Sequence, residues 1–269
     1  MTHNDLDLSA ALTLEPRGPD TFVGETPPYP WGRIYGGLVI AQALWAATQS
    51  VDESHALHSI HAYFMLAGDL SEPVRYEVDR LRNGRSFTTR QVVARQSSGA
   101  ILTLSCSFQR DEPGEQSQPA EFPADAGDPN NLLAQWGAGI ERRDVVLPVS
   151  PPRALTWARY PVALGSDARL HACALAYLSD MNPVSAISRA YPDNPLERSE
   201  RRKHFMSASL DHAIWFHHPV RADEWLLFDT LGHGIVGTRG LATGLVFGSD
   251  GTHVATIAQE ALLRKRRDA

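Results

Sequence analysis

An α+β fold built from two similar halves, each a buried helix followed by antiparallel strands, is what this 269-residue sequence predicts. Three observations lead there. The stretch "DEPGEQSQPAEFPADAGDPNN", residues 111 to 131, is rich in Pro, Gly, Gln and acidic residues and divides the chain near its middle. The same order of elements, one helix and then strand-like runs, stands on either side of it. Within each half the runs are joined by turn sequences such as "RNGR", "SSGA" and "SDGT", which suit hairpins and not β-α-β crossovers.

The first helix is expected over "GGLVIAQALWAATQS". Leu38, Val39, Ile40, Ala41, Ala43, Leu44, Trp45, Ala46 and Ala47 make it apolar almost all round, so it must be surrounded by protein. Strands follow in "HSIHAYFML", "PVRYEVDRL", "SFTTRQVVARQ" and "ILTLSCSFQ". Beyond the divide come a helix in "LHACALAYLSDM" and strands in "HFMSASLDHAIWF", "EWLLFDTL", "RGLATGLVFG" and "THVATIAQEALL". In the last, His253, Ala255, Ile257, Gln259, Ala261 and Leu263 share one face, because strand side chains alternate. That face is mostly apolar, and burying the Gln259 carboxamide without partners would cost about 2 kcal/mol or more. Gln259 therefore marks either a polar site inside the protein or a hydrogen bond tying strand to helix. The expected organisation is an N-terminal unit over 1–112, a linker region over 113–150 and a C-terminal unit over 151–269.

Composition narrows the function. Hydrophobic residues make up 43% of the chain, ample for a core, and the formal charge is −6, from 25 basic and 31 acidic residues. That balance excludes a general nucleic-acid or acidic-membrane binder but leaves room for a small polyanion at a local basic pocket. Cys106 and Cys173 lie in apolar patterns, without a C-x-x-C pair or histidines at metal-ligand spacing, and read as reduced core residues; no metal or cofactor is expected. The first residues lack a signal-peptide pattern, and no run reaches the ~18 apolar residues of a membrane span. A cytoplasmic location is expected.

The blocks "RIYGGLVIAQAL", "HSIHAYFML", "RNGRSFTTRQV", "YLSDMN", "SLDHAIWFH" and "QEALLR", in that order, resemble the type II acyl-CoA thioesterase family. The resemblance spans about residues 31 to 266 and implies a double hotdog: two repeats, each a long helix wrapped by a curved antiparallel sheet. It implies hydrolysis of fatty acyl-CoA to free fatty acid and coenzyme A, an acyl-CoA substrate as the only small-molecule partner, and a homodimer or higher homo-oligomer. It also implies that a water is held by Asp180, Ser209 and Gln259. Many relatives carry threonine where this chain has Ser209, so the hydroxyl is kept and the methyl that stiffens χ1 is lost.

The residues themselves bear on these roles. Asp180 falls on the apolar side of its helix, three after Tyr177 and seven after Cys173. Pro183 disfavours helix at Asn182 and so sets Asp180 near the C-terminus, where the dipole should raise its pKa. Ser209 lacks a G-x-S-x-G elbow, which disfavours an acyl-serine intermediate. Gln259 offers two donors and an acceptor without charge. The first half has Ser107 where the second has Gln259, so one active site per chain is expected.

Coenzyme A is anionic, and two basic runs are candidates for it: Arg80, Arg82, Arg85 and Arg90, or Arg198, Arg201, Arg202 and Lys203. Asp211 and His212 invite a dyad, but strand neighbours point to opposite faces. His58, His61, His217 and His218 read as packing or hydrogen-bonding residues. "GHGIVG", 232 to 237, matches a dinucleotide fingerprint, yet an alternating, glycine-bearing run follows it in place of a helix, so a hairpin is expected. The competing functions are an enoyl-CoA hydratase-like enzyme, a non-catalytic acyl-CoA-binding protein, and an NAD-dependent enzyme resting on "GHGIVG".

Overall fold

The computed structural model describes residues 6–148, 150–191 and 203–266. In chain order the first half contains α1 (Leu8–Ala11), β1 (Glu15–Pro16), β2 (Thr21–Gly24), α2 (Gly36–Thr48), β3 (His55–Phe64), β4 (Val74–Asn83), β5 (Phe87–Gln96) and β6 (Gly99–Arg110). The second contains β7 (Ala134–Gly137), β8 (Ile140–Asp144), β9 (Arg153–Arg159), α3 (Ala168–Ser179), α4 (Pro183–Arg189), β10 (Phe205–Ser209), β11 (Asp211–Phe216), β12 (Leu226–Val236), β13 (Arg239–Gly248) and β14 (His253–Lys265).

Among the described residues all strands join one antiparallel sheet of 14 strands, ordered β1-β2-β4-β5-β6-β3-β11-β14-β13-β12-β9-β8-β7, with β10 also pairing β14. The order β4-β5-β6-β3 in the first half is repeated as β12-β13-β14-β11 in the second. The halves meet where β3 pairs β11, Ile60 opposite Ile214. The strand-rich, antiparallel architecture agrees with hairpin turns read from the sequence. The 113–150 region is only partly a connector, because β7 and β8 within it form a hairpin on β9 at the far sheet edge.

Helix α2 is buried from Gly37 to Leu44 and again from Ala46 to Thr48. It packs against α3, and both helices belong to one apolar core with sheet residues from the two halves. Each fully buried Leu or Ile there, such as Leu38, Ile40 and Leu44, contributes roughly 1.5–3 kcal/mol over exposure. An aspartate at 44 would oppose that with an unpaired buried charge. Helix α3 starts at Asp167, whose carboxylate accepts from the Arg169 and Leu170 amides at 2.9 and 3.4 Å. It ends at Asp180, and Pro183 then opens α4 in a new direction.

The run expected as one strand over 204–216 is two strands. In β10, Ser209 stands opposite Ala261 of β14. Continued at that register, Ala213 would face Ile257, but it faces Ala258. One extra residue has entered at Leu210–Asp211, a β-bulge. The Asp211 carboxylate accepts from the Glu260 amide at 2.6 Å, which satisfies backbone freed by the irregularity. A one-residue slip exchanges the two faces of a strand. Ser209 and His212, an odd number of residues apart, therefore both face inward.

"GHGIVG" lies on β12 and its turn into β13, where Gly237 and Thr238 have φ of 57° and 67°. This is a two-residue hairpin with left-handed central residues, and no helix follows it. Cys106 and Cys173 are both free and buried. Among the described residues no helix is long and apolar enough to cross a membrane.

Candidate active site

The C-terminus of α3 abuts the N-terminus of α2, and the sequence "YGGL" makes this possible. A Cβ on Gly37 would come within 2.5 Å of the Tyr177 carbonyl oxygen, and one on Gly36 within 2.7 Å of Asp180 Oδ2. With no side chains there, the Gly37 amide donates to Asp180 Oδ2 at 3.0 Å. The Ser209 hydroxyl donates to Asp180 Oδ1 at 3.1 Å, and Gln259 Nε2 donates to Ser209 Oγ at 2.7 Å. The fold thus brings Asp180, Ser209 and Gln259 into one hydrogen-bonded chain, drawn from a helix end, the bulged strand pair and β14. Gln259 is fully buried, and its partners remove the desolvation cost that an unpaired carboxamide would bear.

Burial raises the Asp180 carboxyl from 3.8 to about 6, against the lowering influence of hydrogen bonds from Ser209, Gly37 and Gln259 and the charge of Arg33. The direction agrees with the sequence reading, but the cause differs. Asp180 does cap α3, yet loss of solvent dominates, and its carboxylate also meets the positive N-terminus of α2, which favours the charged form. A carboxyl near 6 is ionised at neutral pH and basic enough to take a proton from water.

The chain extends to a residue that alternation had set aside. His212 is 1% exposed; its Nδ1 lies 2.6 Å from Gln259 Oε1 and its Nε2 lies 2.8 Å from Ser179 Oγ. Burial depresses its pKa from 6.5 to about 4, with the Gln259 contact opposing, so it is neutral at physiological pH. Its signal in the sequence was an inward face shared with Ile214 and Phe216, readable once the bulge is placed. Asp211 points elsewhere, to the Glu260 amide, and no dyad forms. In the first half His58 Nε2 meets Ser107 Oγ at 2.8 Å, and the C-cap of α2 is Gln49, where α3 has Asp180. His61 stacks edge-on with Trp215, and His217 meets Thr256 Oγ1 at 2.8 Å.

Asp180 and Ser209 line a cleft of about 1000 Å³ between the halves. Its lining includes apolar side chains, among them Val39, Phe64, Ile101, Val184 and Leu263, and the arginines Arg33, Arg266 and Arg142, the last paired with Asp144. These arginines belong to neither of the runs read as coenzyme A candidates. Arg80 is paired at 2.8 Å with Asp20, and buried Arg90 donates to Ser50, Asn83 and nearby carbonyls. Neither lines the cleft, nor do Arg82, Arg85 and Lys203; Arg198, Arg201 and Arg202 lie outside the described residues.

Residues 26–109 match the family model described as the acyl-CoA thioesterase N-terminal domain, and residues 111–263 match the C-terminal one. The chain belongs to the type II acyl-CoA thioesterase family. It is similar to acyl-coenzyme A thioesterase 8 of Homo sapiens, 33% identical with 96% of this chain and 88% of that protein covered. Acyl-CoA thioesterase 2 of Haemophilus influenzae is 32% identical, with coverages of 94% and 95%. Among solved structures, an acyl-CoA thioesterase II, TesB2, from Mycobacterium marinum superposes with a TM-score of 0.84 at 32% identity, covering 98% and 99% of the two chains. A hot dog fold protein from Alicyclobacillus acidocaldarius has a TM-score of 0.77 at 19% identity, over 97% of this chain and 98% of its own, and shares the fold. This type II thioesterase thus has the hotdog fold across most of its length.

Proposed function

We propose that this enzyme hydrolyses fatty acyl-CoA to free fatty acid and coenzyme A, using a water activated by Asp180 and held by Ser209 and Gln259. The observation that carries the reading is the half-buried Asp180 carboxyl at the cleft wall, raised to about 6 and hydrogen-bonded in series with the other two side chains. The Asp180 carboxylate takes a proton as the water oxygen attacks the thioester carbonyl carbon. The C–S bond then breaks, and the proton passes to the departing coenzyme A thiolate. Gln259 Nε2 shares its two hydrogens between Ser209 and the Asp180 carboxylate, and so fixes the hydroxyl and the base that face the attacking water. The negative carbonyl oxygen of the intermediate lies by the N-terminus of α2, whose dipole stabilises it.

The apolar residues of the cleft accept the acyl chain, and Arg33 and Arg266 attract the phosphates of coenzyme A. The wider architecture is read as a double hotdog, two repeats with one helix wrapped by each half-sheet; the repeated strand order supports this. Units over 1–112 and 151–269, joined through 113–150, belong to the same reading, as do a cytoplasmic location and homo-oligomeric assembly. Exposed Tyr63 and Trp215 on the outer face of β3 and β11 support assembly, which sedimentation would reveal. Hydration of an unsaturated acyl-CoA, which would pair the acid with a histidine, gains nothing from His212, because its imidazole is buried and occupied at both nitrogens.

The test is thiol release from a panel of acyl-CoAs of different chain lengths by the wild type, Asp180→Asn and Gln259→Ala. Turnover should fall by about 10²-fold or more in the first and at least tenfold in the second. Wild-type rates in both would remove the site from the chemistry.

A further inference from the structure

The hydrogen bonds around Gln259 have a direction, and it can be deduced from which atoms are able to donate. A neutral imidazole carries one N–H. An ionised Asp180 can only accept, so Ser209 donates to it and takes its own hydrogen bond from Gln259 Nε2; Gln259 Oε1 therefore faces His212 Nδ1, 2.6 Å away, and that nitrogen carries the N–H. His212 Nε2 is then an acceptor, and the hydroxyl of Ser179 at 2.8 Å is its donor. The Ser179 hydroxyl also donates to the Ala176 carbonyl at 3.0 Å, so its proton is shared between that carbonyl and the closer Nε2. From there the order continues: Gln259 Nε2 donates to Ser209, and Ser209 donates to Asp180.

Turning the carboxamide over would break this order. Gln259 would then offer an oxygen to Ser209 and take its proton, leaving Asp180 Oδ1 against hydroxyl lone pairs. A terminal amide has nearly equal size at both ends, so packing alone does not choose between the two orientations. The choice needs a donor or acceptor of fixed type at Oε1.

We propose that His212 is a positioning residue, whose Nδ1–H fixes the Gln259 carboxamide with its NH2 group facing Ser209 and the Asp180 carboxylate. Ser179 acts one step further out, meeting the other ring nitrogen from the last turn of the helix that ends in Asp180. The same helix terminus therefore presents the carboxylate directly and secures its far partner through the histidine. The bulge at Leu210–Asp211 makes this geometry possible, because it places Ser209 and His212 on the same face, on either side of Gln259. The role rests on the Asp180, Ser209 and Gln259 site proposed above, and it assigns His212 no contact with substrate.

The experiment has two parts. Nitrogen-15 spectra of the wild-type enzyme with labelled histidine should show His212 neutral, protonated at Nδ1 and without titration above about pH 5. Kinetics of His212→Leu and His212→Asn then separate positioning from bulk, since an asparagine amide nitrogen occupies the place of Nδ1. His212→Leu should lose about tenfold or more in kcat with KM within about twofold, and the acid limb of kcat/KM should move upward as the Ser209 donor is lost. His212→Asn should recover most of that loss and restore the limb. An Nε2–H tautomer in the wild type, or a His212→Leu enzyme with wild-type kcat and limb, would overturn the proposal; the spectrum needs no variant to fold. Asp180→Asn keeps the two ideas apart. Turnover surviving in it defeats the site itself, whereas its loss beside an unaffected His212→Leu defeats only the positioning role.

Discussion

Replacing Ser209 by alanine removes the hydroxyl that donates to Asp180 Oδ1 at 3.1 Å, and the consequence for the pH profile can be worked out in sign and size. A hydrogen bond to a charged group is worth about 1.5–3 kcal/mol, and each pKa unit corresponds to about 1.4 kcal/mol. Because the bond favours the carboxylate over the protonated form, losing it raises the pKa by roughly 1 to 2 units. The wild-type acid limb of kcat/KM should fall near pH 6, the value to which burial raises Asp180. In Ser209→Ala it should lie at roughly 7 to 8, with a lower plateau because the water has lost one support. Ser209→Thr keeps the hydroxyl and should leave the limb in place. Initial rates of thioester absorbance loss, taken from about pH 5 to 9 at low substrate, measure all three limbs. A limb in Ser209→Ala within about 0.3 units of the wild type would refute the reasoning, since Asp180 would not then be the titrating group that Ser209 supports.

The same carboxyl makes stability depend on pH. Its folded pKa of about 6 lies above the unfolded value near 3.8, so the stabilisation from proton binding is full below about 4 and lost as pH rises through 6, a change of about 3 kcal/mol. Asp180→Asn should accordingly melt higher than the wild type at pH 8, by a few degrees, and the difference should shrink or reverse below about pH 5; calorimetry across that range checks it. Gly36→Ala would set a Cβ 2.7 Å from Asp180 Oδ2 and 2.9 Å from Phe64, displacing the carboxylate and costing about 10²-fold in kcat while circular dichroism shows the fold retained. Arg266→Glu should raise KM for acyl-CoA by about 3- to 10-fold at low salt with kcat little changed, and added salt should reduce the difference; Arg33→Glu should in addition move the acid limb upward, because the Arg33 charge favours the Asp180 carboxylate.

Much of the architecture was legible because it depends on patterns a strand or helix imposes locally. The all-round apolar run from Leu38 to Ala47 could only be an enclosed helix, and it is buried accordingly. Alternation along 253–263 placed Ile257, Gln259, Ala261 and Leu263 on one face, and each is buried. The short strands β7 and β8 were not legible, since they are held by pairing with β9 more than by their own propensity.

Sequence by itself thus determined the two long helices, the faces of the regular strands and the presence of a carboxamide that had to find partners. Only the tertiary structure decided what those partners are. The Gly37 amide reaches Asp180 across 143 residues, and Arg33 and Arg266 come to the cleft from opposite ends of the chain. The bulge between β10 and β11 reverses strand parity, turning His212 inward beside Ser209. Periodicity reports which face a residue takes while a strand runs regularly, and one inserted residue, fixed by pairing with β14, cancels that rule at the very position where the site is built.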